Sequence, residues 1–135
     1  MVPRSNYLSS EEIQWIDAYI DIYYARKVIE RDQLALMSFH GKVKFPHLYE
    51  TLQNDILHQL SRSSYEVRKQ LRLHHITLHK LEDQRLYNGA NQIGFLIRFR
   101  GYEKKRLLHS VRLKQRIEKR LLGFFHCHRK VSERL

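Results

Sequence analysis

Apolar positions recur with a helical period near the start of the chain and with a period of two in its second half. "LSSEEIQWIDAYIDIYYARKVIE" opens with Ser9 and, three residues on, Glu12, the spacing of a capping box, with Leu8 and Ile13 at the staple positions across it. Ile13, Ile16, Ile20 and Tyr23 form one stripe, and Trp15, Tyr19, Ile22 and Ile29 an adjoining one. Together they make an apolar face wider than a surface helix needs. Either this helix is deeply buried, or part of the face meets a second copy in a homodimer through the first helix.

The pattern weakens through "LALMSFHG", where Gly41 reads as a helix stop. Pro46 disfavours helix at Phe45 and suits the first position of the next helix. Leu48, Leu52, Ile56 and Leu60 then predict a second amphipathic helix. Ser63 and Glu66 repeat the capping-box spacing, and Val67, Leu71, His75 and Leu78 fit a further helical stripe. "LRLHHITL", however, is short and β-branched and is followed by Asn88-Gly89, a favoured hairpin turn. The reading is helix to about Leu71, a strand near Leu73–Lys80 and a loop carrying Asn88-Gly89.

"QIGFLIRFRGY" alternates: Ile93, Phe95, Ile97 and Phe99 point one way, and Leu96, Arg98 and Arg100 the other. A period of two over this length predicts a strand. Paired with the preceding strand, it makes a sheet with one apolar and one basic face. Gly101 releases the strand, and a helix from Tyr102 or Ser110 to Leu122, stopped by Gly123, buries Leu113, Ile117 and Leu121. Residues 124–135 follow as a tail, with Phe124 and Phe125 folded back on the body. The expectation is a small α+β single domain over 1–135, roughly α-α-β-β-α, with a short antiparallel sheet packed by helices. There is no internal repeat and no low-complexity linker.

Charge changes this picture through where it sits. The 135 residues hold 25 Lys and Arg against 14 Asp and Glu, a formal +11. Between Arg98 and Lys130 lie twelve basic residues and two acidic ones, a net of +10; the other thirteen basic and twelve acidic residues leave +1. A nearly neutral body with a basic C-terminal section points to an anionic partner.

Candidate chemistry is sparse. The single Cys127 excludes an intramolecular disulfide and a multi-cysteine zinc site, and its basic, His-flanked setting gathers no substrate-binding motif. His75 and His79, and the "HCH" of 126–128, come without the third and fourth ligands that metal sites want, so no cofactor is expected. The five glycines form no phosphate loop. No signal-peptide pattern and no bilayer-spanning apolar run occurs, so the expectation is a non-enzymatic, cytoplasmic protein without a membrane partner.

The basic segment also carries aromatic residues. Arg98, Arg100, Lys104, Lys105, Arg106, Arg112, Arg116 and Arg120 are the candidate phosphate-facing residues, and Tyr102 the candidate for stacking on a base. The competing reading is a solvated face whose Arg stems cover apolar surface. The partner expected is nucleic acid or a nucleoprotein, or else a protein with an acidic surface. No helix-turn-helix, RNP motif or zinc finger accompanies the charge, so no base specificity is expected.

At "FLIRFRGYEKK…RLKQRIEKRL" the chain resembles small phage-encoded anti-CRISPR proteins in size, charge and strand-then-helix layout, through Arg98, Phe99, Tyr102, Lys104, Ile117 and Leu121. The resemblance covers the C-terminal quarter. It implies a non-enzymatic inhibitor from a mobile element that binds and blocks a host nucleoprotein nuclease.

Overall fold

The computed structural model describes residues 7–38, 41, 44–85 and 91–133, and of residues 124–133 only their helical backbone. The elements are α1 (Ser10–Ser38), α2 (Pro46–Leu73), β1 (Ile76–Lys80), β2 (Gln84–Arg85), β3 (Asn91–Phe99), β4 (Tyr102–His109) and α3 (Ser110–Glu133). This is the expected small α+β domain, with its sheet enlarged to four antiparallel strands.

The first helix begins at its capping box. The Ser9 N–H donates to Glu12 Oε1 at 3.0 Å, and the Glu12 N–H donates to Ser9 Oγ at 3.1 Å. Ile16, Ile20, Ile22, Ala25 and Ile29 are buried, and Trp15, Tyr19, Tyr23 and Tyr24 pack against the same core. The breadth of the apolar face is thus used within the chain: α1 packs against both α2 and α3, and Tyr23 and Tyr24 each meet Phe95 of β3 edge-on at 6.3 Å. Ile13, placed in the stripe by its spacing, is instead exposed.

α2 starts with Pro46 at its first turn, after Phe45 in a left-handed conformation (φ 58°, ψ 54°). It runs unbroken through Ser63, so the second capping-box spacing marks no helix start. Leu57, Leu60, Val67 and Leu71 continue one packed line across that point, and this burial outweighs the serines' weak helix propensity.

In the sheet, β3 is central, with β1 and β2 along one side and β4 along the other. Ile93, Phe95, Ile97 and Phe99 are all buried, as their alternation predicts. The opposite face of β3 carries Leu96 beside Lys105 and Arg98 beside Glu103. Asn88-Gly89 lies outside the described residues.

Two expectations for the C-terminal third need correction. Tyr102–His109 is a strand, so of the two helix starts read from sequence Ser110 is the right one. Phe99 pairs with Tyr102 across a two-residue loop in which Arg100 (φ 48°) and Gly101 (φ 85°) are both left-handed. That is the geometry of a type I′ turn, whose twist suits a hairpin. The second correction is at Gly123: α3 passes through it to Glu133, so much of the expected tail is helix. The side chains of Phe124 and Phe125 lie outside the described residues.

Candidate nucleic-acid interface

The nine candidate residues fall on three pieces of structure. Arg98, Arg100 and Tyr102 surround the β3–β4 turn, Lys104, Lys105 and Arg106 lie on β4, and Arg112, Arg116 and Arg120 lie on α3. The strand sends Lys104 and Arg106 to one face of the sheet and Lys105 to the other. On the helix, Arg112, Arg116 and Arg120 follow at four-residue steps, one turn above another.

Five of the eight cations bond to acids of the same chain. Arg98 Nε donates to Glu103 Oε1 at 2.9 Å in the open. Arg100 Nη1 donates to Glu12 Oε2 at 2.7 Å, and its Nη2 to the Tyr7 carbonyl at 3.0 Å. Glu12 is buried, and this hydrogen bond, helped by those from Ser9, holds its carboxyl below the ordinary glutamate range although burial pulls the other way. The same bond pushes the Arg100 guanidinium's pKa up.

The remaining three arginines converge on α1. Arg106 Nη2 donates to both carboxylate oxygens of Asp17, at 3.1 and 3.2 Å. Arg116 Nη2 donates to the Asp17 carbonyl at 3.2 Å and to Asp21 Oδ1 at 2.5 Å. Arg120 Nε donates to Asp21 Oδ2, also at 2.5 Å. Asp21 is 2% exposed. A carboxylate so far from water is tolerated because two guanidiniums satisfy its oxygens with charge-assisted hydrogen bonds. Nothing in the sequence signals this, since aspartates beside Ile16, Ile20 and Ile22 on a helix read as its solvent-facing positions, and acids are almost never buried unless paired.

Around this network lies an open cleft of about 390 Å³ between α1 and α3, lined by Gln14, Asp17, Asp21, Arg116, Lys119 and Arg120. Lys119 was absent from the sequence-derived set. Two carboxylates here serve three arginines, and Lys119 adds a fourth cation with no acid partner among the described residues. Arg120 bonds to the described residues through Nε alone, which leaves both terminal nitrogens free to donate outward. Arg112, Lys104 and Lys105 are exposed and make no ion pair with a described residue. Tyr102 is 44% exposed and leans on Phe99, ring centroids 5.9 Å apart.

Among the described residues, no helix is long and apolar enough to cross a membrane. A family model described as "YhjD protein" matches residues 7–128, which takes in every strand, both N-terminal helices and most of α3. The chain belongs to the YhjD protein family. No curated protein and no solved structure matches it.

Proposed function

We propose that this YhjD-family protein is a non-enzymatic binder of nucleic acid or of a nucleoprotein, acting through the cleft between α1 and α3 and the adjoining edge of β4. The observation that carries this reading is the imbalance at the cleft. Asp17 and Asp21 hold Arg106, Arg116 and Arg120 in fixed orientations without using all their donors, and Lys119 stands beside them with no acid partner among the described residues. Guanidiniums held by a neighbouring carboxylate lose little freedom on meeting a phosphate. Arg112, Lys104 and Lys105 add exposed cations on the adjoining helix and hairpin. Arg98 and Arg100, bonded to Glu103 and Glu12, take a lesser part.

The test is binding of the purified protein to labelled double-stranded DNA, single-stranded DNA and RNA over a salt series. The expected result is an affinity that falls linearly in log salt, with a slope worth several phosphates. Lys119→Glu with Arg112→Glu should make that slope shallower by roughly one for each phosphate no longer neutralised. Absence of binding to all three at low salt would overturn the reading. It would favour the second one, a mobile-element inhibitor that meets an acidic surface of a host nucleoprotein. The number of arginines already bonded inward speaks for that alternative, because it leaves less free charge than composition suggests.

A further inference from the structure

β1 is the outermost strand on the side of the sheet away from β4. Its register places Leu81 opposite Gly94, and the Leu81 N–H donates to the Gly94 carbonyl at 2.9 Å. In an antiparallel ladder, residues two apart share that role, so Thr77 and His79 bond towards β3 while the N–H and C=O of Leu78 and Lys80 point outward. Among the described residues no backbone group pairs with them.

Beside this free edge runs a groove of about 600 Å³ between β1 and the last turns of α2. Its floor is apolar, from Leu71, Ile76 and Leu78; its cationic and imidazole side chains are Arg68, Arg72, His75 and His79, and no carboxylate among the described residues lines it. Among the described residues Arg68 bonds only to the Ser64 carbonyl of its own helix, and Arg72 has no side-chain partner. Part of this charge answers the negative end of α2. That does not account for an apolar floor beside open backbone donors and acceptors.

We propose that the β1 edge takes up an extended acidic peptide segment of a partner protein. The segment adds a strand to the sheet, its backbone pairing with Leu78 and Lys80. Its acidic side chains, on the face towards α2, pass over Leu71 and Leu78 to reach Arg68 and Arg72, and the alternate apolar ones lie on the opposite face beside Thr77 and His79. Peptides that add to a sheet edge obtain affinity from main-chain hydrogen bonds and specificity from alternate side chains. A nucleic acid matches the charge but has no backbone N–H and C=O ladder to offer the strand. The proposal is independent of the α1–α3 cleft, since β1 and β4 flank β3 on opposite sides.

The probe is a blocked synthetic peptide, acetyl-Glu-Val-Glu-Val-Glu-Val-Glu-amide, titrated into the isotopically labelled full chain and followed by amide chemical shifts and hydrogen exchange. Expected are shifts centred on β1, slowed exchange at Leu78 and Lys80, and affinity about tenfold weaker for Arg68→Glu with Arg72→Glu. The same peptide N-methylated at alternate residues, which leaves the protein untouched, should lose binding. Three results would overturn the proposal: no shifts at millimolar peptide, equal binding of the N-methylated peptide, or shifts confined to α3. A short oligonucleotide that occupies the β1 groove at lower concentration than the peptide would also overturn it and assign the groove to nucleic acid.

Discussion

Glu12 and Arg100 stand 88 positions apart in sequence and 2.7 Å apart in space. The pair joins the first turn of α1 to the β3–β4 turn, so a capping residue and a hairpin residue are each other's counter-charge. His74, at the end of α2, approaches the same carboxylate at 3.8 Å and rests on Trp15. One buried acid therefore gathers the ends of three elements.

Arg100→Asn should keep the turn, since asparagine tolerates the left-handed region, but it strands the Glu12 charge. Breaking a largely buried pair from one side costs about 2–4 kcal/mol, read as a lower urea midpoint at unchanged slope. Adding Glu12→Gln to that variant should restore part of the loss, because the uncompensated charge goes with it.

The Glu12 carboxyl is depressed in the folded state, chiefly by Arg100. A depressed acid gives stability that is fully present above its unfolded value, about 4.3, and is lost as pH falls through the folded value. Thermal melts between pH 7 and pH 3 should show the loss begin near pH 4.5 to 5, with a shallower acid limb in Glu12→Gln. Equal acid limbs in the two proteins would mean that Glu12 does not govern this transition.

Arg112 and Arg116 sit one turn apart on α3 but should behave differently. Arg112→Glu removes an exposed cation without a described partner, so stability should stay within about 0.5 kcal/mol while nucleic-acid affinity falls. Arg116→Glu sets a third carboxylate against Asp17 and Asp21 and should cost about 3 kcal/mol or more. Chemical denaturation of the two single variants distinguishes them. Equal stabilities would show that the Asp21 network contributes nothing to the fold.

Gly101 has φ +85° with open space where a Cβ would stand. Gly101→Ala therefore tests backbone conformation alone, with an expected cost of about 1–2 kcal/mol. For a domain of this size that is a drop of roughly 3–6 °C in Tm. Phe95→Ala, in contrast, empties the point where Tyr23 and Tyr24 meet the sheet and should cost about 3–5 kcal/mol.

The helices and the central strand were legible because their signals are local. Ser9 and Glu12 cap within one turn, Pro46 fixes a helix start, and Ile93 to Phe99 alternate over a full strand length. β4 was not legible: "YEKKRLLH" has charge where a buried strand has apolar residues, because one edge of β4 is open and its lysines face solvent. The turn before it was hidden for a related reason. Arg100-Gly101 lacks the Asn-Gly signature, and the left-handed arginine is held by Glu12 and the Tyr7 carbonyl rather than by its own propensity. Arg106, Arg116 and Arg120 were legible as cations but not as partners of Asp17 and Asp21.

By itself the sequence determined the class of fold, the cap of α1, the buried face of β3 and a C-terminal section with +10 of net charge. All of these rest on residues within a few positions of one another. Only the tertiary structure decided how that charge is divided between internal ion pairs and solvent. Apart from Glu103, five residues from Arg98, the acids that bind it are 88 to 99 residues away in the chain, and no local pattern encodes a distance of that kind.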